Sequence, residues 1–355
     1  MTAAQRCGVV RDVLQDERRP VANETNLVIE VVWSSVPVDL SKFFVIGIST
    51  RALFDLSKED RIFREQGLKA FSDYQLEHED DLLPKGTGFA LAEAILRLNS
   101  VAPGKRKAEV VVMSRNSANT CLRIFNSTEH YGLDVTRAAL TGGAPLAPYL
   151  DAFDVDLFLS ADEADVQAAA NAGIAAGLIQ QAPQNESRPV DQLRIAFDGD
   201  AVLFSGESER IYQEQGLEAF LAYETANARK PLPDGPFAKV LRALAILQAF
   251  GETAGQDVIR TALVTARNSP AHERVIRTLR EWNVRIDEAF FLGGVSKDKV
   301  LQAFGAHIFF DDQEVHCQSA AKLVPTARVL ARAVEPKPVQ AALTPDGSKP
   351  RKAVS

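Results

Sequence analysis

The chain contains one internal repeat. Residues 61–71 read RIFREQGLKAF, and residues 210–220 read RIYQEQGLEAF. Other landmarks pair in the same order along the chain: 52–54 with 202–204, 114–117 with 266–269, and 140–143 with 292–294. Self-similarity at a long period indicates two copies of one structural unit. Apolar strand-like runs alternate with helical segments in both copies. The predicted fold is therefore α/β, with two similar doubly wound domains that have mainly parallel sheets.

The repeat places the first domain at 41–185 and the second at 186–335. The polar, proline-bearing stretch Gln180–Gln192 lies between them, as expected of a linker. A length of 355 residues also favours two domains over one compact core. Residues 1–40 are expected to be a lead-in segment with one strand-like run, Glu30–Trp33. Residues 336–355 contain four prolines and end in a basic stretch, which predicts a disordered tail.

The composition excludes several classes of protein. Hydrophobic residues make up 46% of the chain and charged residues 25%, as in ordinary globular proteins. A net charge of −7 argues against a nucleic-acid polymer as the main partner. Cys7, Cys121 and Cys317 lack metal-ligand spacing and predict reduced thiols. No apolar run has the length of a membrane span, and the amino terminus lacks a signal-peptide core, so the expectation is a cytoplasmic protein with no membrane partner.

The two copies differ at polar positions that carry chemistry. Asp198 and Asp200 follow the strand-like run 193–196 and face one side of an extended segment. Open α/β sheets bind ligands at this end of their strands. Aligned by sequence, the second copy differs from the first in the following pairs: Asp198 with Ile48, Asp200 with Thr50, Thr265 with Met113, Lys297 with Leu146, Asp311 with Ser160, and Asp312 with Ala161. A duplicated scaffold needs its reactive groups only once. The second copy is therefore predicted to be catalytic and the first degenerate.

Each of these residues also has a simpler interpretation. Asp-Gly-Asp is good turn chemistry, and an acid pair such as Asp311–Asp312 often caps a helix. A lysine such as Lys297 is usually a surface charge, and the Thr265 hydroxyl could satisfy nearby backbone groups. Their order along the chain, with three of the four elements at strand ends, favours a single site over four unrelated features.

The same residues carry a family resemblance. Asp198-Gly-Asp200, Thr265, Lys297 and Asp311-Asp312 resemble, in this order, the motifs of the haloacid dehalogenase (HAD) superfamily of phosphotransferases, which have Rossmann-like domains. The flanking runs are similar to the cytosolic 5′-nucleotidase type I family, namely FDGDAVLF at 197–204, FFDDQ at 309–313 and ALFD at 52–55. The resemblance covers about residues 43–322 and includes both copies.

The resemblance implies a Mg²⁺-dependent 5′-nucleotidase that hydrolyses nucleoside 5′-monophosphates, AMP or a deoxynucleotide among them. Asp198 would be the nucleophile that forms an aspartyl-phosphate, and Asp200 the general acid and then base. The metal ligands would be Asp198, Asp200, Asp311 and Asp312, in keeping with the preference of Mg²⁺ for carboxylates. The alternatives are a phosphatase of this superfamily for another small phosphate ester, or a nucleotide-sensing module with little catalysis.

Phosphoryl transfer also requires groups that compensate negative charge. The second-copy residues expected to bind the phosphate or the substrate are Thr265, Ala266, Arg267, Asn268 and Lys297. His316 follows the acid pair and is expected to support it, whereas His307 opens an apolar strand and is expected to be structural.

Four polar residues of the first copy are candidates for nucleoside contacts: Arg115, Asn116, Asn126 and His130. Asn126 and His130 share a helical face by their i, i+4 spacing. Capping and surface positions near a helix end are an equally good interpretation. Since the helical insertion after Phe204 is too short for a large cap, we expect the first copy, or a second subunit of a homo-oligomer, to cover the site.

Overall fold

The computed structural model describes residues 37–101, 106–180 and 192–333. The Glu30–Trp33 run, the linker residues 181–191 and the tail 336–355 lie outside the described residues. The described residues from Leu40 onward form one compact unit. The expectation of two separate domains is therefore not confirmed, because both copies contribute strands to the same sheet.

Ten strands of the described residues form this sheet. They are β1 Phe44–Ser49, β2 Ala108–Ser114, β3 Arg137–Leu140, β4 Leu157–Ser160, β5 Ala175–Gln180, β6 Leu193–Phe197, β7 Ile259–Thr265, β8 Glu288–Phe291, β9 Ile308–Asp311 and β10 Thr326–Val329. Their spatial order is β3-β2-β1-β4-β5-β10-β9-β6-β7-β8. All neighbours are parallel except β5 and β10, which pair antiparallel with Gln180 opposite Thr326.

The strand order is the same in the two halves of the sheet. The first half, β1–β5, has its first strand flanked by the second and the fourth, and so has the second half, β6–β10. Because β5 and β10 are antiparallel, the strands of the two halves point in opposite directions. The carboxyl ends of β1–β5 line one rim of the sheet, and the carboxyl ends of β6–β10 line the opposite rim. We call these the first-half rim and the second-half rim.

Eleven α-helices of the described residues accompany the sheet. They are α1 Thr50–Leu53, α2 Ser57–Glu77, α3 Phe89–Arg97, α4 Leu122–His130, α5 Ala147–Ala152, α6 Glu163–Asn171, α7 Glu207–Ala226, α8 Ala238–Thr253, α9 His272–Glu281, α10 Asp298–Phe304 and α11 Glu314–Ala320. A 3-10 turn at Ala118–Thr120 precedes α4. Among the described residues, no helix is long and apolar enough to cross a membrane.

Helices cover both faces of the sheet. On one face a continuous core runs across both halves, from Ile46 and Ile48 of β1 to Ile195 and Phe197 of β6, with α3 and α8 packed against it. On the other face each half has its own smaller cluster, one with α5 and α6 and one with α10 and α11. Strands buried on both faces explain the nearly uninterrupted apolar runs in the sequence. The doubly wound prediction is confirmed for each half of the sheet.

The repeated segments 61–71 and 210–220 lie in α2 and α7. Both helices are interrupted at a glycine with a positive φ, 84° at Gly67 and 83° at Gly216. The side chains of the repeat are mostly exposed, apart from Phe71 and Phe220, which are buried. The two copies therefore share a local backbone shape in these surface helices, in addition to the strand order of the sheet.

Candidate active site

Three neighbouring strands of the second half end in polar residues. Asp198 directly follows β6, Thr265 ends β7, and Asp311 ends β9. The order β9-β6-β7 places Asp198 between the other two at the second-half rim. The Asp198 backbone N–H donates to the carbonyl of Phe310 at 2.8 Å, which continues the ladder to the end of the strand. The structure thus brings together three residues that lie far apart in the sequence, Asp198 and Asp311 by more than a hundred positions.

Lys297 joins two of these strand ends. It immediately precedes α10, and its Nζ lies 2.9 Å from Asp198 Oδ1 and 2.6 Å from Asp311 Oδ2. All three side chains are buried. Burial lowers the pKa of Lys297, but the charges of Asp198 and Asp311 outweigh it and hold the pKa above its ordinary value. Lys297 is therefore a buried cation that is held by two carboxylates.

The carboxylates of this cluster have strongly shifted pKa values. Burial raises the pKa of Asp198 to about 7, although the charge of Lys297 opposes the shift. Burial, followed by the charge of Asp311, also raises the pKa of Asp312 to about 7. For Asp311, burial is outweighed by hydrogen bonding from His316 and by the charge of Lys297, so its pKa is lowered. Strong shifts of several neighbouring groups at strand ends are typical of functional sites.

The cluster fits a divalent cation. Carboxylate oxygens of Asp198, Asp311 and Asp312 lie within 4.8 Å of one another. Lys297 forms an ion pair with Asp198 Oδ1, but the geometry of this contact is not that of a hydrogen bond. This buried oxygen therefore has no hydrogen-bond donor among the described residues. Three carboxylates facing one lysine also leave an excess of negative charge. Hard oxygen ligands with excess negative charge suit Mg²⁺. The remaining expected ligand, Asp200, is instead paired with Arg267.

Asp311 has further support from the segment that follows it. The Gln313 backbone N–H donates to Asp311 Oδ1 at 2.9 Å, and His316 Nδ1 lies 3.3 Å from Asp311 Oδ2. His316 thus contacts a site carboxylate, as expected from its position after the acid pair. His307 is buried, and its Nδ1 accepts a hydrogen bond from the Arg194 backbone N–H at 3.0 Å. This bond links the residue that precedes β9 to β6, a structural role as expected for His307.

Arg267 holds the carboxylate of Asp200. Its Nε and Nη2 donate to the two oxygens of Asp200, both at 2.7 Å, and Nη1 donates to Glu224 Oε2 at 2.6 Å. The Arg267 backbone N–H donates to the Thr265 hydroxyl at 3.2 Å. A Cβ on Gly199 would lie 3.2 Å from that hydroxyl, so the glycine leaves room for it beside the acid loop. Ala266 and Asn268, the other two expected contacts of this loop, are exposed at the rim.

Sequence reasoning missed a group of residues behind Arg267. Glu224 is buried, and its Oε1 accepts hydrogen bonds from Ser208 at 2.7 Å and from Arg274 at 3.0 Å. In the alignment of the repeats, Gln75 takes the position of Glu224. Comparing the two copies, which indicated Asp198, would also have indicated Glu224. At this position too, a neutral residue of the first copy is aligned with a charged residue of the second.

Comparison with known proteins gives the family. The profile of the 5′-nucleotidase family matches residues 36–335. Human cytosolic 5′-nucleotidase 1B is 38% identical to this chain over 287 aligned residues, and the match covers 78% of the chain and 47% of the human protein. The chain belongs to the cytosolic 5′-nucleotidase type I family. It spans about half the length of the curated relative that it matches. No solved structure matches it.

The strand register of this family member corrects the matching of its two halves. Ile48 pairs with Val112 and Leu159, as Phe197 pairs with Leu263 and Phe310. Corresponding positions are therefore Ser49 and Asp198, Ser114 and Thr265, and Ser160 and Asp311. The earlier pairings of Asp198 with Ile48 and of Thr265 with Met113 are wrong by one residue. The turn from Asp198 to Leu203 is one residue longer than the turn from Ser49 to Leu53. Pairing the copies without a gap therefore shifts Asp198 by one position.

The first-half candidates for nucleoside contacts lie far from the acids of this 5′-nucleotidase family member. Arg115 and Asn116 follow β2 at the first-half rim, opposite to the rim of Asp198. Six strand spacings separate β2 from β6, or about 29 Å. Arg115 is exposed and paired with Asp165, and Asn116 is partly buried. The structure does not bring these two residues and Asp198 together within one chain.

The other two first-half candidates lie on α4. The side-chain amide of Asn126 donates to the Glu79 carbonyl at 2.9 Å, which fastens α4 to the end of α2. His130 is exposed and lies against the edge of Tyr131. Their contacts agree with the interpretation as capping and surface groups.

Proposed function

We propose that this chain is a Mg²⁺-dependent 5′-nucleotidase that hydrolyses nucleoside 5′-monophosphates, AMP or deoxynucleotides among them, to nucleoside and phosphate. The main support is the buried cluster in which Lys297 lies between Asp198 and Asp311. The first half has the same strand order but hydroxyl groups at the corresponding strand ends. The family supports the substrate class, since the human relative is named as a cytosolic 5′-nucleotidase.

In the proposed reaction, an oxygen of Asp198 attacks phosphorus and the bond from phosphorus to the 5′ oxygen breaks. Asp200 enters this step protonated, gives its proton to the departing 5′ oxygen, which leaves as the nucleoside hydroxyl, and becomes the carboxylate that Arg267 binds. Water then attacks the aspartyl-phosphate, Asp200 takes its proton, and phosphate departs with regeneration of the Asp198 carboxylate. The Lys297 cation and the Thr265 hydroxyl compensate the negative charge of the phosphoryl oxygens.

Asp198, Asp311 and Asp312 are the proposed ligands of the Mg²⁺ ion. When bound, the ion would supply positive charge to the phosphoryl group and lower the repulsion between it and the carboxylates. His316 and the Gln313 backbone N–H orient Asp311 from behind. Such outer contacts fix ligand orientation in metal sites. Ala266 and Asn268 are also proposed substrate contacts of the second half. They lie at the exposed rim, where the nucleoside part of a bound substrate would extend away from the phosphate site.

A phosphate-release assay on the whole chain tests the proposal. The substrates are ribo- and deoxynucleoside 5′-monophosphates and non-nucleotide alkyl phosphates, each with Mg²⁺ and with chelator, and Asp198→Asn is the control. We expect Mg²⁺-dependent release from nucleoside monophosphates that the control lacks. Release from the non-nucleotide esters alone would identify a phosphatase for another substrate. If the chain binds nucleotides without releasing phosphate, it is a sensor and the proposal is wrong.

A further inference from the structure

Asp200 is fixed by a series of buried charges that ends on helix α7. Arg267 binds both oxygens of Asp200 at 2.7 Å, and its Nη1 donates to Glu224 at 2.6 Å. Glu224 belongs to α7 and is itself held by Ser208 of the same helix and by Arg274 of α9. Charge-assisted hydrogen bonds of this length are among the strongest that proteins make, and the pair of Arg267 with Asp200 is also bidentate. We call Glu224, Arg267 and Arg274 the α7 clamp.

Four of the five guanidinium N–H groups of Arg267 bond to atoms of the protein itself. Nε and Nη2 bond to Asp200, and Nη1 bonds to Glu224 and, at 3.5 Å, to the Ala271 carbonyl. The side chain is buried, and its guanidinium carbon lies 5.6 Å from the centre of the Phe220 ring. Sequence reasoning placed Arg267 among the substrate contacts. Its geometry is that of a residue that holds another catalytic group in position.

The first half has the same helices without the clamp. Gln75 of α2 takes the position of Glu224, and both polar atoms of its buried side chain lack a hydrogen-bond partner. Asn116 takes the position of Arg267, since the backbone N–H of each donates to the hydroxyl that ends the second strand. Arg123, the counterpart of Arg274, pairs instead with Glu59. The clamp is therefore present only in the half that carries the acids.

We propose that Glu224 and Arg267 are positioning residues that hold the Asp200 carboxylate at the place where the leaving oxygen of the substrate arrives. This inference rests on the proposed function, because it concerns the proton that Asp200 gives to that oxygen. Glu224 makes α7 part of the catalytic geometry: it fixes the guanidinium, and the guanidinium fixes the orientation of the carboxylate. Small displacements of a catalytic group are known to lower rates by about 100-fold.

The leaving group provides the test. A nucleoside leaves as an alkoxide and needs a proton, whereas p-nitrophenolate is a stable anion that leaves without one. We compare the single-turnover rate of leaving-group release for a nucleoside 5′-monophosphate and for p-nitrophenyl phosphate in wild type, Glu224→Gln, Arg267→Lys and Asp200→Asn. This rate is used because kcat also contains the hydrolysis of the aspartyl-phosphate, in which Asp200 acts as base for both substrates. For the nucleotide we expect a loss of roughly 10- to 100-fold in this rate at saturation from either clamp variant, with little change in the half-saturating concentration. For the aryl ester we expect less than about a threefold loss. Asp200→Asn should show a larger loss than the clamp variants for the nucleotide and again only a small loss for the aryl ester.

Glu59→Gln is the matched control, because it breaks the corresponding buried pair in the first half. It should lower stability and leave the ratio of the two leaving-group release rates unchanged. Equal losses of this rate for both substrates in the clamp variants would overturn the proposal in favour of a purely structural role. A rise in the half-saturating concentration at a constant release rate would overturn it in favour of substrate binding. If Glu224→Gln fails to fold, as judged by circular dichroism, Glu224→Asp replaces it under the same criteria.

Failure of the proposed function gives a different result. If the wild-type chain releases phosphate from p-nitrophenyl phosphate and from some other alkyl phosphate but not from nucleotides, the substrate class is wrong. The clamp is then tested with that alkyl phosphate, which also leaves as an alkoxide.

Discussion

The two halves of the sheet have one strand order but different strand ends. In the second half Asp198, Thr265 and Asp311 end neighbouring strands, and Lys297 lies between the two acids. In the first half the corresponding residues are Ser49, Ser114, Ser160 and Leu146. Each serine hydroxyl there bonds to nearby groups: Ser49 accepts from the Ala52 and Ala161 backbone N–H groups, and Ser160 from that of Asp162.

This difference separates what the fold needs from what the chemistry needs. A hydroxyl can satisfy the polar backbone at a strand end, so the scaffold does not require a charge there. Buried carboxylates, in contrast, need a cation, and Lys297 supplies it only where the acids are present. The acids and the lysine therefore have to change together, which is why one half retains all of them and the other half none.

The largest expected effect comes from removing the nucleophile. Asp198→Asn retains the shape of the side chain but cannot form the aspartyl-phosphate, so we expect phosphate release to fall by at least about 10⁴-fold. The matched change in the first half is Ser49→Ala, which removes a helix-capping hydroxyl. It should cost about 1 kcal/mol of stability and leave kcat unchanged. Comparable activity of Asp198→Asn and wild type would reject Asp198 as the nucleophile.

The second prediction replaces the charged cluster by its first-half counterpart. Lys297→Leu leaves Asp198 and Asp311 buried without their cation, and we expect a loss of about 3–5 kcal/mol in the free energy of unfolding. The triple change Asp198→Ser, Lys297→Leu and Asp311→Ser installs the uncharged set of the first half and should regain most of that loss. Urea unfolding in the presence of a chelator measures both.

Strict additivity of the three single changes would contradict this coupling, since residues in one ion-pair network are expected to be strongly non-additive. Serine at Asp198 and Asp311 also leaves a smaller side chain than the acid, so full recovery is not expected. All of these variants are expected to lack phosphate release, so the coupling is judged from stability alone.

The repeat and the strand-end acids made much of this structure predictable from the sequence. Parallel strands followed by Asp198, Thr265 and Asp311 converge at one rim for general geometric reasons. The sequence did not predict that the strands of both halves form one continuous sheet. This continuity depends on the pairing of β5 with β10, two short apolar strands, Ala175–Gln180 and Thr326–Val329, whose sequences carry no signal for a partner more than a hundred residues away.

Two details of the site were also beyond the sequence pattern. The one-residue difference in turn length concealed Ser49 as the counterpart of Asp198, and only the strand register revealed it. Ala201, in the longer turn, has a φ of 58°, which a non-glycine residue adopts rarely. The contrast of Glu224 with Gln75 marks the position in the sequence, but the role of Glu224 follows from contacts with Arg267 and Arg274 that exist only in the folded chain.

The third prediction concerns a feature that the halves share. Gly67 and Gly216 have φ values of 84° and 83° and extended ψ values, a region that is essentially restricted to glycine. A Cβ at either position would meet no atom within 4 Å, so an alanine would bring backbone strain and no clash. We expect Gly67→Ala and Gly216→Ala each to lower the free energy of unfolding by about 1–2 kcal/mol. The two losses, measured by urea unfolding, should agree within about 0.5 kcal/mol; a difference above about 1 kcal/mol would contradict the equivalence of the two kinks.

The smallest expected effect tests whether the first half touches the substrate at all. Asn116 lies at the rim opposite to Asp198, about 29 Å away along the sheet, and His130 is exposed on α4. In a chain that acts alone, the double variant Asn116→Ala and His130→Ala should change kcat/KM for nucleoside monophosphates by less than about twofold, since surface substitutions far from a site are nearly neutral. Asn268→Ala, at the second-half rim, is the positive control. A loss above about tenfold in the double variant, present only at protein concentrations where light scattering detects a homo-oligomer, would mean that the first half of one subunit completes the site of another.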